Sequence, residues 1–247
     1  MTKRMATALA LDGTMTVFFL GLMADRYTGN GVHEWLGTGL CALVLVHVLL
    51  NRAWLAALPK TAGKYPVRAL MMILAACFLA GAVISAVPLS QTVFAFTGLS
   101  GSLFLRSVHT CFAYWAFLLA ACHCGLCADR LWRVFFRFRQ GGIVSVAGRV
   151  AAALLAVYGA YVFVNRDVLL FLTMQSSFGV WQEGDGALKV FLEYLAMFHG
   201  VAWSVHGLST RVFQKQRRSG LTMPISSAPC RNGQEVERIV SGGVSDA

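Results

Sequence analysis

Apolar stretches of about twenty residues, nearly free of charge, recur along this chain, and nothing else limits its fold so strongly. A helix of that length crosses the ~30 Å hydrocarbon layer of a bilayer. In lipid every backbone N–H and C=O must be bonded within the protein, so only helices or a closed barrel can span it. Uninterrupted runs, in place of ten-residue segments of alternating character, select helices. Composition agrees: 57% of the 247 residues are hydrophobic and 13% charged, and the mean hydropathy is +0.64, beyond the usual range of a soluble domain. The chain reads as an all-α integral membrane helical bundle.

About six transmembrane helices are expected. The first covers residues 5–24, after Lys3 and Arg4. A cleaved signal peptide competes for this segment, but Gly21-Leu22-Met23-Ala24 lacks a small residue three before the cut and Asp12 interrupts the apolar run, which favours a retained helix. Residues 25–32 make a Gly-rich turn. The second span runs from His33 to about Leu58, where Pro59 ends it. The third covers about 67–89, and the segment 90–106, broken by Gly98 and Gly101, is too short to cross and lies flat at the surface. The remaining spans are about 107–129, 148–165 and 187–209. Residues 1–130 thus form a four-helix core, 131–210 add two helices with a basic interfacial segment and an outer loop, and 211–247 make a polar tail that reads as disordered.

The net charge of +10 would suit nucleic acid in a soluble protein, but here it records topology. With the amino terminus inside, 17 of the 21 Lys and Arg fall on the inner side, and only Arg26, Arg106, Arg166 and Lys189 fall outside. Both termini are therefore expected in the cytoplasm. Arg130, Arg133, Arg137 and Arg139 alternate with aromatics beside a span; contact with anionic lipid is favoured over nucleic-acid binding, and no nucleic acid is expected as a partner. Of the seven cysteines, Cys41, Cys77, Cys111, Cys122 and Cys124 lie in apolar segments, where they pack as small apolar residues and build no disulfide framework.

Two of the spans carry the same device. His33 and His47 stand fourteen residues apart in one, His109 and His123 fourteen apart in the other. Fourteen helical steps fall roughly 40° short of four turns and advance ~21 Å, so both histidines of a span share a face at two depths. Spans two and four both run inward and are parallel, so His33 matches His109 near the outer surface and His47 matches His123 deeper in. Imidazole is costly in lipid without a partner. Equal-depth pairing makes two bis-imidazole sites, suited to two b-type haems whose irons are axially saturated. Zinc fits less well, because four ligands must cluster and the two depths are too far apart to share an ion. A hydrogen-bonded structural role for each histidine, or metal or proton handling in a transporter or assembly scaffold, is the alternative.

Other residues admit two readings. Gly37 and Gly125 could clear space for a flat macrocycle or serve small-residue helix packing. Arg52 and Arg106 could pair haem propionates or simply mark helix ends. His199 and His206, seven apart on the sixth span, are candidates for a quinone, for proton transfer, as replacement ligands or for packing. Asp12 could relay protons or bond a neighbouring helix. Cys124-Gly-Leu-Cys127 lacks the following His of covalent haem attachment, since residue 128 is Ala, and leaves only a weak redox-dithiol reading. No phosphate loop, zinc-protease helix or nucleophile elbow is present.

The run from Thr28 to Trp54, with His33, Trp35, Gly37, His47, Leu50, Asn51 and Trp54, resembles the flavinylation-associated cytochrome family of bacterial membrane proteins. That family's typical pattern is His-Trp-x-Gly, a second His fourteen on, then Leu-Asn-x-x-Trp; here Glu34 separates His33 from Trp35. His109 to His123 with Gly125 and Leu126 is similar to the same family, and the resemblance covers about residues 5–130. It implies a haem b protein of the bacterial cytoplasmic membrane. Such a protein would pass electrons between the quinone pool or a cytoplasmic donor and an extracytoplasmic flavoprotein or other redox protein, as a subunit of an oxidoreductase system.

Overall fold

The structure, a computed structural model, describes residues 3–63, 66–136, 143–178 and 185–218. Among them there is no strand. The helices are α1 (Lys3–Met23), α2 (Asp25–Thr28), α3 (Asn30–Leu50), α4 (Arg52–Thr61), α5 (Pro66–Ala86), α6 (Leu103–Phe136), α7 (Ile143–Asn165), α8 (Val168–Leu172) and α9 (Ala187–Arg218), with 3-10 turns at Val87–Leu89 and Ala95–Thr97. Five segments are long and apolar enough to cross a membrane: Ala6–Met23, Asn30–Leu50, Pro66–Leu89, Leu103–Ala128 and Val146–Asn165. This is the all-helical membrane class that the apolar runs predict.

The boundaries differ from expectation where local polar groups intervene. Residues 25–32 are the short α2, a single break at Gly29, and the first turn of α3. Gly29 has φ 73, a left-handed conformation that its missing Cβ makes cheap. Helix α3 stops at Leu50, well before Leu58, because Asn51 leaves the helical region and its side-chain amide donates to the His47 carbonyl at 2.8 Å. The chain restarts as α4, and Pro59 lies inside that helix instead of ending a span. Segment 90–102 does not cross and carries exposed Phe96 and Leu99. Arg137, Arg139 and the tail from residue 219 lie outside the described residues.

Helix α9 is not among the five candidate spans. Lys189, Glu193, His199 and His206 dilute its apolar character, yet Val190, Glu193, Tyr194, Ala196, Met197 and Phe198 are buried. It packs on α1, α6 and α7, so protein covers what would otherwise face lipid. Small residues let the backbones close up: a Cβ on Gly125 would fall 2.4 Å from the Ala202 carbonyl oxygen, and one on Gly159 would fall 2.3 Å from that of Ala196. Glu193 is tolerated because Arg166, 3% exposed, donates to it from Nε at 2.9 Å and again from Nη2. Arg166 also donates from Nη1 to Asp185 at 2.6 Å, which accepts from Lys189 Nζ at 2.8 Å as well. Burial alone would lower the Arg166 pKa; the hydrogen bonds to Asp185 and Glu193 outweigh it and push the value up.

The packed core sits where α1, α6, α7, α8 and α9 meet, around Leu20, Phe117, Val162, Phe171 and Met197, and α3 and α5 contribute nothing to it. Helix α3 rests on α1, and α5 on α6, while the backbones of α3 and α6 barely approach each other. Of the two helices that carry the histidine pairs, α6 supplies Tyr114, Phe117 and Ala121 to that core, and α3 lies outside it.

Candidate functional site

His33 stands in the first turns of α3 and His109 in the first turns of α6. Their ring centroids are 6.3 Å apart at an interplanar angle of 73°. His109 Nδ1 lies 2.9 Å from the Ala82 carbonyl of α5 and 3.5 Å from Ser85 Oγ. A carbonyl only accepts, so Nδ1 carries the proton and Nε2 keeps its lone pair. The His33 ring is within reach of the Leu22 carbonyl, and its Nδ1 is buried without a partner.

Deeper in, His47 Nδ1 lies 2.9 Å from Asp12 Oδ1 of α1. His123 on α6 is within electrostatic range of His47, Arg68 and Asp12, and its Nδ1 is likewise buried without a partner. Among the described residues, His33 Nδ1 and His123 Nδ1 are the two buried side-chain polar atoms left unbonded. Each such atom costs about 1–3 kcal/mol, and each sits in one of the two depth layers. The amino-terminal histidines of α3 and α6 meet each other, and the carboxyl-terminal ones lie within range of each other, so the two helices run parallel.

Comparison with protein-family models, curated proteins and solved structures finds no match to this chain. Its chemistry is argued from the site itself. Among the described residues, no three His, Cys, Asp or Glu side chains converge as they would around a bare metal ion. The arrangement brings two imidazoles together in each layer, with Asp12 bonded to His47 in the second.

The remaining candidates divide. Asp12 belongs to the site through His47, and the reading in which it bonds a neighbouring helix is the one seen. Arg106 is exposed on the outer side, with its guanidinium carbon 5.3 Å from the centre of the Phe178 ring. Arg52 is exposed at the start of α4. Arg68 of α5 is within electrostatic range of His123 and donates from Nη2 to the Leu126 carbonyl at 2.8 Å. His199 turns to α7, its Nε2 3.3 Å from the Ala152 carbonyl, and the His206 carbonyl accepts from Ser209 Oγ at 2.8 Å on the same helix. A Cβ on Gly125 would strike the backbone of α9, so helix packing accounts for that glycine, whereas one on Gly37 would meet only the Leu22 side chain, at an ordinary 3.8 Å.

Sequence reasoning missed Glu34, although it adjoins His33. Its carboxylate accepts from the Gln91 amide at 2.7 Å, the Thr92 and Val93 amides at 2.9 Å each, Ser90 Oγ at 2.6 Å, Thr92 Oγ1 at 2.5 Å and Asn30 Nδ2 at 3.2 Å. Three successive amides converge on one carboxylate, which ties the outer loop to the turn that carries His33. Hydrogen bonds to a charged group contribute about 1.5–3 kcal/mol each. Glu34→Ala should therefore speed amide exchange at Gln91, Thr92 and Val93 by roughly tenfold or more, with little change in the α6–α9 core. Unaltered protection at those amides would refute the tie.

Proposed function

We propose that this chain is a transmembrane electron carrier, a b-type cytochrome of the kind the flavinylation-associated family exemplifies, holding one haem between His33 and His109 and a second between His47 and His123. The single observation that carries the reading is the approach of the His33 and His109 rings from two different helices. A metal bonded to one nitrogen of each ring at ~2 Å would set the ring centres roughly 6 Å apart, and the observed separation is 6.3 Å. The unpartnered nitrogens of His33 and His123 supply the donor that such a group needs in each layer. His109 and His47 each anchor one ring nitrogen, on a carbonyl and on a carboxylate respectively, which is the usual support of a metal-ligating histidine.

When bound, such a group would supply one-electron chemistry, with His33 and His109 holding one and His47 and His123 the other. The chain's own part is to orient the ligands, exclude water and separate the layers by ~21 Å along the helices. In this reading α9 is a sixth span, which returns the carboxyl terminus to the cytoplasmic side. A quinone or cytoplasmic donor would serve the inner layer, and an extracytoplasmic flavoprotein or other redox protein the outer one. The Asp12–His47 contact by itself would also suit a transporter that handles protons; such a protein moves protons without visible absorbance.

The test is electron transfer across sealed vesicles that contain the purified chain, with a membrane-impermeant reductant outside and ferricyanide trapped inside. Internal ferricyanide should be consumed in vesicles with the protein and not in protein-free ones. Equal rates in the two would overturn the function.

A further inference from the structure

The two histidine layers differ in what holds the anchored ring. In the outer layer His109 Nδ1 meets a neutral backbone carbonyl, that of Ala82, at 2.9 Å. In the inner layer His47 Nδ1 meets the Asp12 side chain, also at 2.9 Å. An aspartate in the middle of a membrane helix is expensive, and here its carboxylate meets the His47 imidazole. A carboxylate can only accept, so it fixes the His47 proton on Nδ1 and leaves the lone pair on Nε2. It also makes that nitrogen a stronger donor than one backed by a carbonyl.

We propose that Asp12 is a positioning residue of the inner site, holding His47 in its ligating tautomer and, through its charge, setting the reduction potential of the inner group below the value it would otherwise have. The inference rests on the two-haem reading. A donor strengthened by a negative charge favours the more positive, oxidised iron. Arg68, also within range of His123, opposes this field but is occupied by the Leu126 carbonyl. Among the described residues no carboxylate bonds a ring of the outer pair, while Asp25 and Glu34 lie within electrostatic range of His33.

Asp12→Asn keeps an acceptor oxygen of the same size and removes the charge, whereas Asp12→Glu keeps the charge on a longer arm. Redox potentiometry of the full-length protein in detergent, followed by visible absorbance, resolves the midpoints. Asp12→Asn should shift one midpoint upward, by about tenfold in the reduction equilibrium, leave the other in place, and alter the ferric electron-paramagnetic-resonance signal of the shifted haem alone. Asp12→Glu should restore both readouts toward wild type. A residue that merely braced α1 against α3 would move neither midpoint. If wild type carries two haems and Asp12→Asn gives the same two midpoints, the role of Asp12 is overturned and the function stands. If wild type carries none, the function falls and this inference with it.

Discussion

The His47→Ala protein is expected to retain one haem of two, with the surviving midpoint that of the outer site. His47 lies near the end of α3, and the outer pair stands ~21 Å away along the helices. Each layer has its own pair of imidazoles, so removing one ligand empties one layer. Helix α3 adds nothing to the buried cluster of α1, α6, α7, α8 and α9, so the bundle should survive the substitution. His123→Ala should give the same spectrum as His47→Ala, while His33→Ala and His109→Ala should share a different one. Haem loss from both layers in a single variant, or from neither, would refute pairing by depth.

Arg166→Met should be the most destabilising of the substitutions considered. Removing the guanidinium leaves Glu193 buried at the α7–α9 contact without its counter-charge and takes one cation from Asp185. Breaking a buried ion pair from one side costs about 3–5 kcal/mol. The double substitution Arg166→Met with Glu193→Leu should recover most of that loss, because an apolar pair carries no uncompensated charge. Unfolding of the detergent-solubilised protein, followed by loss of helical circular dichroism, measures both. A single variant as stable as wild type, or a double variant no better than the single, would show that the cluster does not hold the corner.

Much of this architecture is written locally. Runs of apolar residues mark all five candidate spans, and the fourteen-residue spacing needs only helical geometry to put His33 and His47 on one face. What escaped notice depends on partners distant in sequence. Helix α9 looks ordinary in composition because other helices cover it and Arg166 offsets Glu193, neither of which its own residues announce. Asn51 outranks Pro59 as the end of α3 because an amide can take the His47 carbonyl, whereas proline is accommodated within α4. Gly125 reads as room for a ligand until Ala202 is seen against it. Glu34 was visible beside His33, but the amides and hydroxyls that donate to it lie in a loop more than fifty residues away.

The central claim is that the two imidazole layers each hold a haem, and haem extraction with a reduced-minus-oxidised spectrum of the purified chain tests it most directly. Two haems b per chain, with the sharp reduced bands of six-coordinate iron, are the result this account predicts. A colourless protein, folded and helical in the same preparation, would contradict it.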